Sequence, residues 1–317
     1  MSRVVLGGST GFMGRYLHER FLAAGRDVVT ISRSGADLQW GDQAGIAQAV
    51  DGADLVVGLA GKSVNCRYTP SNRAEIFRSR LETTDALGHA IAAASAPPPV
   101  WVNSSTATIY RHAMDRPMTE ADGEIGTGFS VDVAKAWEGA LFAQELPATR
   151  RVALRTAIVL GDGGVLGPIR GLARIGLGGA QHDGRWPVSK ARRDAGTAHL
   201  PGSRHGAQKF SWVHIEDAAR IIDFIEHTPA LAGPVNAAAP GPVDNATFMA
   251  TVRRVLGAGF GPPMPRWMLE LGAIGIRTET ELILKSRWAL PGALTEAGFE
   301  FEHPTLEAAL RASFAQV

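Results

Sequence analysis

The segment Gly8-Ser9-Thr10-Gly11-Phe12-Met13-Gly14 carries the clearest chemistry in this chain. A short apolar run, Val4-Val5-Leu6, precedes it, and Met13, Leu17 and Phe21 follow at four-residue steps with Tyr16 beside them. Strand, glycine turn and helix in that order set a pyrophosphate on a helix N-terminus, where unpaired N–H groups face the anion. Glycine lets the backbone turn tightly and approach phosphates with no Cβ in the way. Gly8, Thr10, Gly11, Phe12, Met13 and Gly14 are therefore the expected dinucleotide contacts; the bland alternative is a tight turn that holds no ligand. The second expected strand, residues 27–32, ends in Ser32-Arg33-Ser34. An NAD-selective site places an acidic residue there, bonded to the ribose 2′-hydroxyl. A guanidinium instead pairs bidentately with a 2′-phosphate, so Ser32 and Arg33 point to NADP(H) rather than NAD(H); the alternative is an exposed arginine at a strand end. Leu59, Ala60 and Gly61, closing a further strand, keep side chains small beside the cofactor, and Ser104 lies where a later strand ends.

These residues need a scaffold, and the rest of the sequence describes one. Apolar runs at 54–59, 100–103 and 152–160 read as strands, with a helical stretch at 73–94 between two of them. That alternation implies a parallel sheet covered on both faces. The expected fold class is α/β: a Rossmann-type doubly wound parallel sheet with a smaller, mainly helical C-terminal substrate domain. The expected division assigns 1–160 with 211–240 to the dinucleotide-binding domain and 161–210 with 241–317 to the substrate domain. Residues 182–209 hold six Lys/Arg, two Asp and three His. They read as an inserted, exposed loop: a solvated insertion, or an anion-binding lid.

The chain has 317 residues, one cysteine (Cys66) and a net charge of +1. A single cysteine excludes a disulfide framework or a cysteine-rich zinc site, and no metal is expected. Near-neutral charge provides no global field to attract nucleic acid or a membrane. A first strand from Arg3 leaves no room for a signal peptide, and no apolar run approaches the ~20 residues of a membrane span. The expectation is a cytoplasmic protein, a homodimer, whose partner is a small-molecule substrate.

The opening glycines, Leu59-Ala60-Gly61, Ser79-Arg80 with Thr83-Thr84, Ser104 to Tyr110, Leu154-Arg155-Thr156 and Ser211 to Asp217 occur in an order that resembles an extended short-chain dehydrogenase/reductase of the epimerase/dehydratase type. Trp137-Glu138, Asn236 to Pro240 and Gly298-Phe299-Glu300-Phe301 are similar to its atypical, cell-division-inhibitor-like subgroup. The resemblance implies catalysis by a hydroxyl residue at a strand end, a tyrosine acting as acid/base, and a lysine four residues later. Thr106 matches the hydroxyl. Anchored on Glu138, the tyrosine slot holds Ser130 and the lysine slot Ala134; a shift of one residue supplies Lys135 but no tyrosine. A serine hydroxyl is not a base without a partner, and losing a positioned acid/base costs roughly 10²–10⁴ in rate.

The candidate catalytic residues are thus Thr106, Ser130 and Lys135, with Tyr110, His214, Glu120 and Asp122 as substitutes for the missing acid/base. Trp137 is expected in the core, and Arg155 in a structural role. Arg174, Arg185 and Lys209 are candidate contacts for an acidic substrate. The leading expectation is an NADP(H)-binding oxidoreductase or epimerase acting on a small polar, sugar-nucleotide-like substrate with an altered centre. The alternative is a catalytically weak NADP(H)-sensing regulatory protein.

Overall fold

A computed structural model describes residues 2–315. The strands are β1 (Arg3–Gly7), β2 (Asp27–Ser32), β3 (Leu38–Gln39), β4 (Leu55–Gly58), β5 (Val100–Thr106), β6 (Arg150–Thr156), β7 (Ile158–Leu160), β8 (Lys209–Phe210), β9 (Trp212–His214), β10 (Gly233–Ala237) and β11 (Val243–Asp244). The helices are α1 (Phe12–Ala23), α2 (Gln43–Val50), α3 (Pro70–Ala93), α4 (Phe129–Ala143), α5 (Leu166–Arg174), α6 (Lys190–Asp194), α7 (Ile215–His227), α8 (Asn245–Leu256), α9 (Arg266–Gly275), α10 (Glu281–Leu284), α11 (Gly292–Glu296) and α12 (Leu306–Ala315). Seven strands form one parallel sheet in the order β10-β6-β5-β4-β1-β2-β3. The Rossmann-type α/β class is the observed one.

The strand sequences explain why both faces are covered. Successive side chains point to opposite sides, so Val4 and Leu6 join a core with Leu17, Phe21 and Ile222 of α1 and α7. Val5 joins the opposite core with Ile46, Leu87 and Ile91 of α2 and α3. Leu55 and Val57 divide from Val56, and Val100 and Val102 from Trp101, in the same way. A third core packs Trp212 and Leu160 against α5, α8 and α12 in the C-terminal half.

Two regions differ from the sequence reading. The run expected as one strand over 152–160 is two. Ala157 N donates to Ala237 O at 3.0 Å, and beyond it the chain leaves the main sheet to pair β7 with β9 in a separate ladder. The break falls just after Arg155-Thr156, and apolar residues resume at once in Ile158-Val159-Leu160, so the run reads as one strand.

The segment 182–209 is not a loose exposed loop. It contains α6 and buries Thr197, His199 and Gln208. Its polar groups are used internally. The Asp183 carboxylate, with no side-chain exposure, bonds His199 Nε2 at 2.9 Å, Gly202 N at 3.0 Å and Arg266 Nη1 at 2.9 Å. Arg192 pairs with Glu279 at 2.6 Å, and Gly196 O accepts from Phe129 N at 3.0 Å, so the segment is tied to the C-terminal half and to the start of α4. Burial raises the Asp183 pKa, but His199 and the N–H groups of Gly202 and Gly184 outweigh it and hold the carboxyl well below the usual range.

Asp183→Asn removes one partner from a buried ionic cluster, and a loss of about 3 kcal/mol is expected in urea unfolding at pH 7. A depressed carboxylate stabilises the fold fully above its unfolded value near pH ~4, and that contribution disappears as pH falls towards the folded value. The variant's deficit should therefore shrink only below pH ~4. An undiminished fold in D183N at neutral pH would contradict this account.

Candidate active site

A cleft of about 660 Å³ opens at the carboxyl ends of β1, β2 and β4. Gly8, Thr10, Gly11, Ser32, Arg33, Leu59, Ala60 and Gly61 all line it. Two glycines are required by contact. Gly8 has φ +84°, and a Cβ there would lie 2.8 Å from Ala60 N. A Cβ on Gly14 would stand 2.2 Å from Gly8 O, so the first turn of α1 rests directly on the glycine loop. Gly11 caps α1 without any side-chain bond, leaving the first N–H groups turned towards the cleft mouth. A diphosphate fits this cradle: small residues, a bare helix N-terminus and no acidic side chain at the turn.

Ser32 is buried, and its hydroxyl is bonded within the turn to Ser34, which presents Arg33 as the charged group of that corner. Arg33 is exposed and lines the cleft. Phe12, Met13, Gly14 and Ser104 stand behind the lining. The Phe12 ring lies against Gly161, Gly163 and Gly164, and Met13 packs on the core. Sequence reasoning missed Trp40, whose ring lies over Gly7, and Lys62. Lys62 directly follows Leu59-Ala60-Gly61 and was legible as an extension of that motif; Trp40 depends on how β3 folds back and has no local signal.

At the end of β5, Thr106 Oγ1 accepts from Thr108 N at 3.1 Å. Ser130 Oγ, on the first turn of α4, donates to Glu281 at 3.3 Å. Ala134 is buried, whereas Lys135 is exposed on the other side of α4. The structure thus joins Ser130 to the C-terminal half and leaves Lys135 facing solvent.

The proposed substitutes are tied into the fold. Tyr110 Oη donates to Asn236 at 2.9 Å and accepts from Arg155 at 3.0 Å. Arg155 grips Glu138 with two bonds of 2.8 Å, and Ser105 donates to the same carboxylate at 2.6 Å. Glu120 accepts from Asn236 N and Ala293 N, and Asp122 closes a turn on Thr119. Trp137 is buried and donates to Thr84. Lys209 Nζ lies 4.9 Å from the Trp288 ring centre, while Arg174 and Arg185 are exposed.

His214 is buried at the start of α7. Its Nδ1 accepts from Glu216 N at 3.3 Å, its ring meets that of His303 edge-on at 4.0 Å, and its Nε2 has no partner among the described residues. Burial, with His303 adding to it, lowers its pKa to about 4. The ligand atoms of His214, Glu216 and His303 lie within 4.8 Å of one another. A neutral ring whose Nδ1 accepts a bond carries its proton on Nε2, so the helix cap and a metal compete for His214. His303 Nε2 is already bonded to Glu216 at 3.1 Å.

Sequence reasoning also missed a buried polar group beside Thr106 and Ser130. Lys285 Nζ donates to Thr108 O at 2.9 Å and Arg287 Nε to Thr108 Oγ1 at 3.0 Å. Tyr68, buried, places its ring 4.7 Å from that of Phe129. Lys285 and Arg287 are two apart, a spacing that puts both on one side of an extended chain. Their meeting with β5 is long-range and has no local signature.

Parallel strand order, a glycine turn feeding α1 and a cleft at the strand ends define a dinucleotide-binding α/β protein of the short-chain dehydrogenase/reductase type. Residues 4–136 match the NAD dependent epimerase/dehydratase family, and residues 264–313 match the domain of unknown function DUF1731. The epimerase family protein SDR39U1 of Homo sapiens is 30% identical over 317 residues, spanning 98% of each chain. The epimerase family protein YfhF of Bacillus subtilis is 29% identical over 318 residues, spanning 97% of this chain and 96% of its own. This chain belongs to the NAD-dependent epimerase/dehydratase family, in the company of the SDR39U1-like proteins. The crystal structure of human SDR39U1 (isoform 2) with NADPH shares the fold with a TM-score of 0.83 at 29% identity, over 99% of this chain and 100% of that one. MoeE5 in complex with UDP-glucuronic acid and NAD has a TM-score of 0.72 at 17% identity, over 99% of this chain and 98% of its own, a likeness of fold. Among the described residues, no helix is long and apolar enough to cross a membrane.

A histidine kept neutral by the fold stabilises it fully above the unfolded pKa of ~6.5, and the contribution is lost as pH falls towards the folded value. Stability measured by urea unfolding should therefore drop between pH 7.5 and pH 5. His214→Asn, which keeps a capping acceptor, should make that drop shallower; an unchanged slope would remove His214 as its source.

Proposed function

We propose that this protein is an NADP(H)-dependent oxidoreductase or epimerase acting on a small polar substrate, with a centre that departs from the family's tyrosine–lysine pair. The observation that carries the cofactor assignment is Arg33 at the carboxyl end of β2, exposed in the cleft where a carboxylate would otherwise meet a 2′-hydroxyl. The human relative's NADPH supports the same choice.

In this reading the Gly8–Gly14 turn and the N-terminus of α1 hold the diphosphate, and Arg33 recognises the 2′-phosphate. Bound NADP(H) supplies a hydride acceptor or donor. Thr106 orients the substrate oxygen at the end of β5, and Ser130 carries a polar contact on the opposite wall. Lys135, exposed on α4, has no part in it. The substrate sits between the sheet and a module made of 161–210 and 241–317, the usual position at the carboxyl ends of parallel strands. A sugar nucleotide is the substrate type that MoeE5's ligand suggests. The working state is a cytoplasmic homodimer that engages neither nucleic acid nor membrane. A sensing protein without turnover is the second reading, favoured by the absence of tyrosine and lysine at positions 130 and 134.

Calorimetric titration tests the cofactor assignment. NADPH should bind more tightly than NADH, and Arg33→Ala should weaken NADPH by about 10- to 100-fold, the worth of a charge-assisted pair, while leaving NADH nearly unchanged. Tighter binding of NADH by the wild type would end the assignment.

A further inference from the structure

The loop after β4 serves two places at once. Its beginning, from Leu59 to Ser63, lines the nucleotide cleft. A few residues on, Tyr68 is anchored by its backbone N–H to Glu279 at 2.9 Å and lays its ring on Phe129, 4.7 Å between centres. Phe129 immediately precedes Ser130. The phenol is thereby delivered from the cofactor side to the start of α4, beside the serine that stands in the family's tyrosine slot.

Tyr68 Oη is buried and has no hydrogen-bond partner among the described residues. An unpaired buried hydroxyl is unfavourable, and native folds keep few of them without a reason such as a ligand or catalytic role. The Tyr68 ring sits in an apolar cluster with Ile76, Phe129 and Val133, and Ser130, Glu281 and Arg287 are the polar groups that act on its hydroxyl. Ser130 bonds Glu281, and Lys285 and Arg287 converge on Thr108, two residues beyond Thr106. Arg80, buried beneath the same loop, lies against Gly61 and donates to Lys62 O and Ile76 O, both at 3.0 Å. The hydrogen bonds of all three cations go to carbonyl and hydroxyl oxygens, none to a carboxylate. Arg80 and Arg287 are charge-coupled to the phenol, while burial and the Glu281 carboxylate hold it protonated.

We propose, on the basis of the oxidoreductase reading above, that Tyr68 is the proton donor of this site, a phenol brought by the β4 loop to the place where Ser130 offers none. In the reducing direction the substrate's C=O π bond opens as its carbon gains a hydride from reduced nicotinamide dinucleotide. The phenolic O–H bond breaks as the substrate oxygen takes the proton, and the phenolate is reprotonated from water. The dinucleotide leaves oxidised and the substrate leaves as an alcohol. Arg287 and Arg80 are positioning residues whose charge offsets part of the cost of the transient phenolate.

The electrostatics agree with a donor rather than a resting base. Burial, then the Glu281 charge, push the Tyr68 pKa up, with Ser130 and Arg287 opposing. The phenol stays protonated until a stronger base, the developing alkoxide, faces it. Burial lowers Lys285 to about 8, against the opposing pull of Glu281.

The chain has three tyrosines, so biosynthetic labelling with 3-fluorotyrosine gives three ¹⁹F resonances, and Tyr68→Phe identifies one of them. In the full-length protein that resonance should differ between NADPH-saturated and NADP⁺-saturated samples, because oxidation adds a positive charge at the nicotinamide. An identical position in both overturns the proposal. With 9,10-phenanthrenequinone as carbonyl probe, Y68F should lose at least about 100-fold in kcat while its Tm and its affinity for NADPH stay at wild-type values. Full turnover in Y68F overturns the proposal and leaves the oxidoreductase reading intact. A wild type that binds neither NADPH nor NADP⁺ overturns both; one that binds them without reducing the probe leaves the ¹⁹F comparison to decide.

Discussion

The backbone contact between Gly14 and Gly8 is the constraint on which the arrangement rests. With no Cβ at position 14, α1 settles onto the carbonyl of Gly8, and with positive φ at position 8 the loop turns under Ala60. Those two close approaches fix where α1 begins relative to β1 and β4. They also leave the helix N-terminus uncapped and aimed at the cleft. A Cβ at either position would collide with backbone, forcing α1 or the β4 loop to move relative to the β2 corner that carries Arg33. The orientation of the cleft is therefore set by van der Waals contact in the backbone, and the charges only select what enters it.

Behind the β4 loop a different problem is solved. Lys285, Arg287 and Arg80 are buried with neutral oxygens as partners, although burying an unpaired ion is unfavourable by several kcal/mol. Part of this cost is met by the bonds to Thr108, Leu282, Lys62 and Ile76, and part by contact of the Arg80 guanidinium with the Trp137 ring at 4.8 Å. Elsewhere the fold pairs its buried cations with acids: Arg155 with Glu138, and Arg266 with Asp183 and Glu270. The two kinds of cation differ in place. The acid-paired ones fasten elements together, whereas the others surround the end of β5 and the start of α4.

What could be read in the sequence follows from how local each signal is. The β1–turn–α1 unit was legible because strand, glycines and helix are contiguous, and Arg33 because it ends β2 within the same neighbourhood. The full parallel sheet was legible from its apolar runs. The break at Ala157 was not, since the change of ladder is set by pairing with Ala237 and β9, far along the chain. The segment 182–209 looked solvated because a sequence displays charges without their partners; Arg266 and Glu279, which neutralise its Asp183 and Arg192, lie far along the chain. Tyr110 and Glu120 looked chemically available for the same reason, before Asn236 and Arg155 were seen to occupy them.

The two clusters are consequently held in place by different means. A change in the glycine turn alters a contact between backbones, for which no neighbouring side chain compensates. The reactive half is assembled from the β4 loop, the first turn of α4 and the 281–287 stretch, three segments joined by side chains. A small residue at position 130 leaves room for a ring on Phe129 to approach from the β4 loop, and a cation at 285 or 287 supplies positive charge without needing one on α4. The glycine cradle is thus held by contiguous backbone, and the second cluster by side chains drawn from three distant segments.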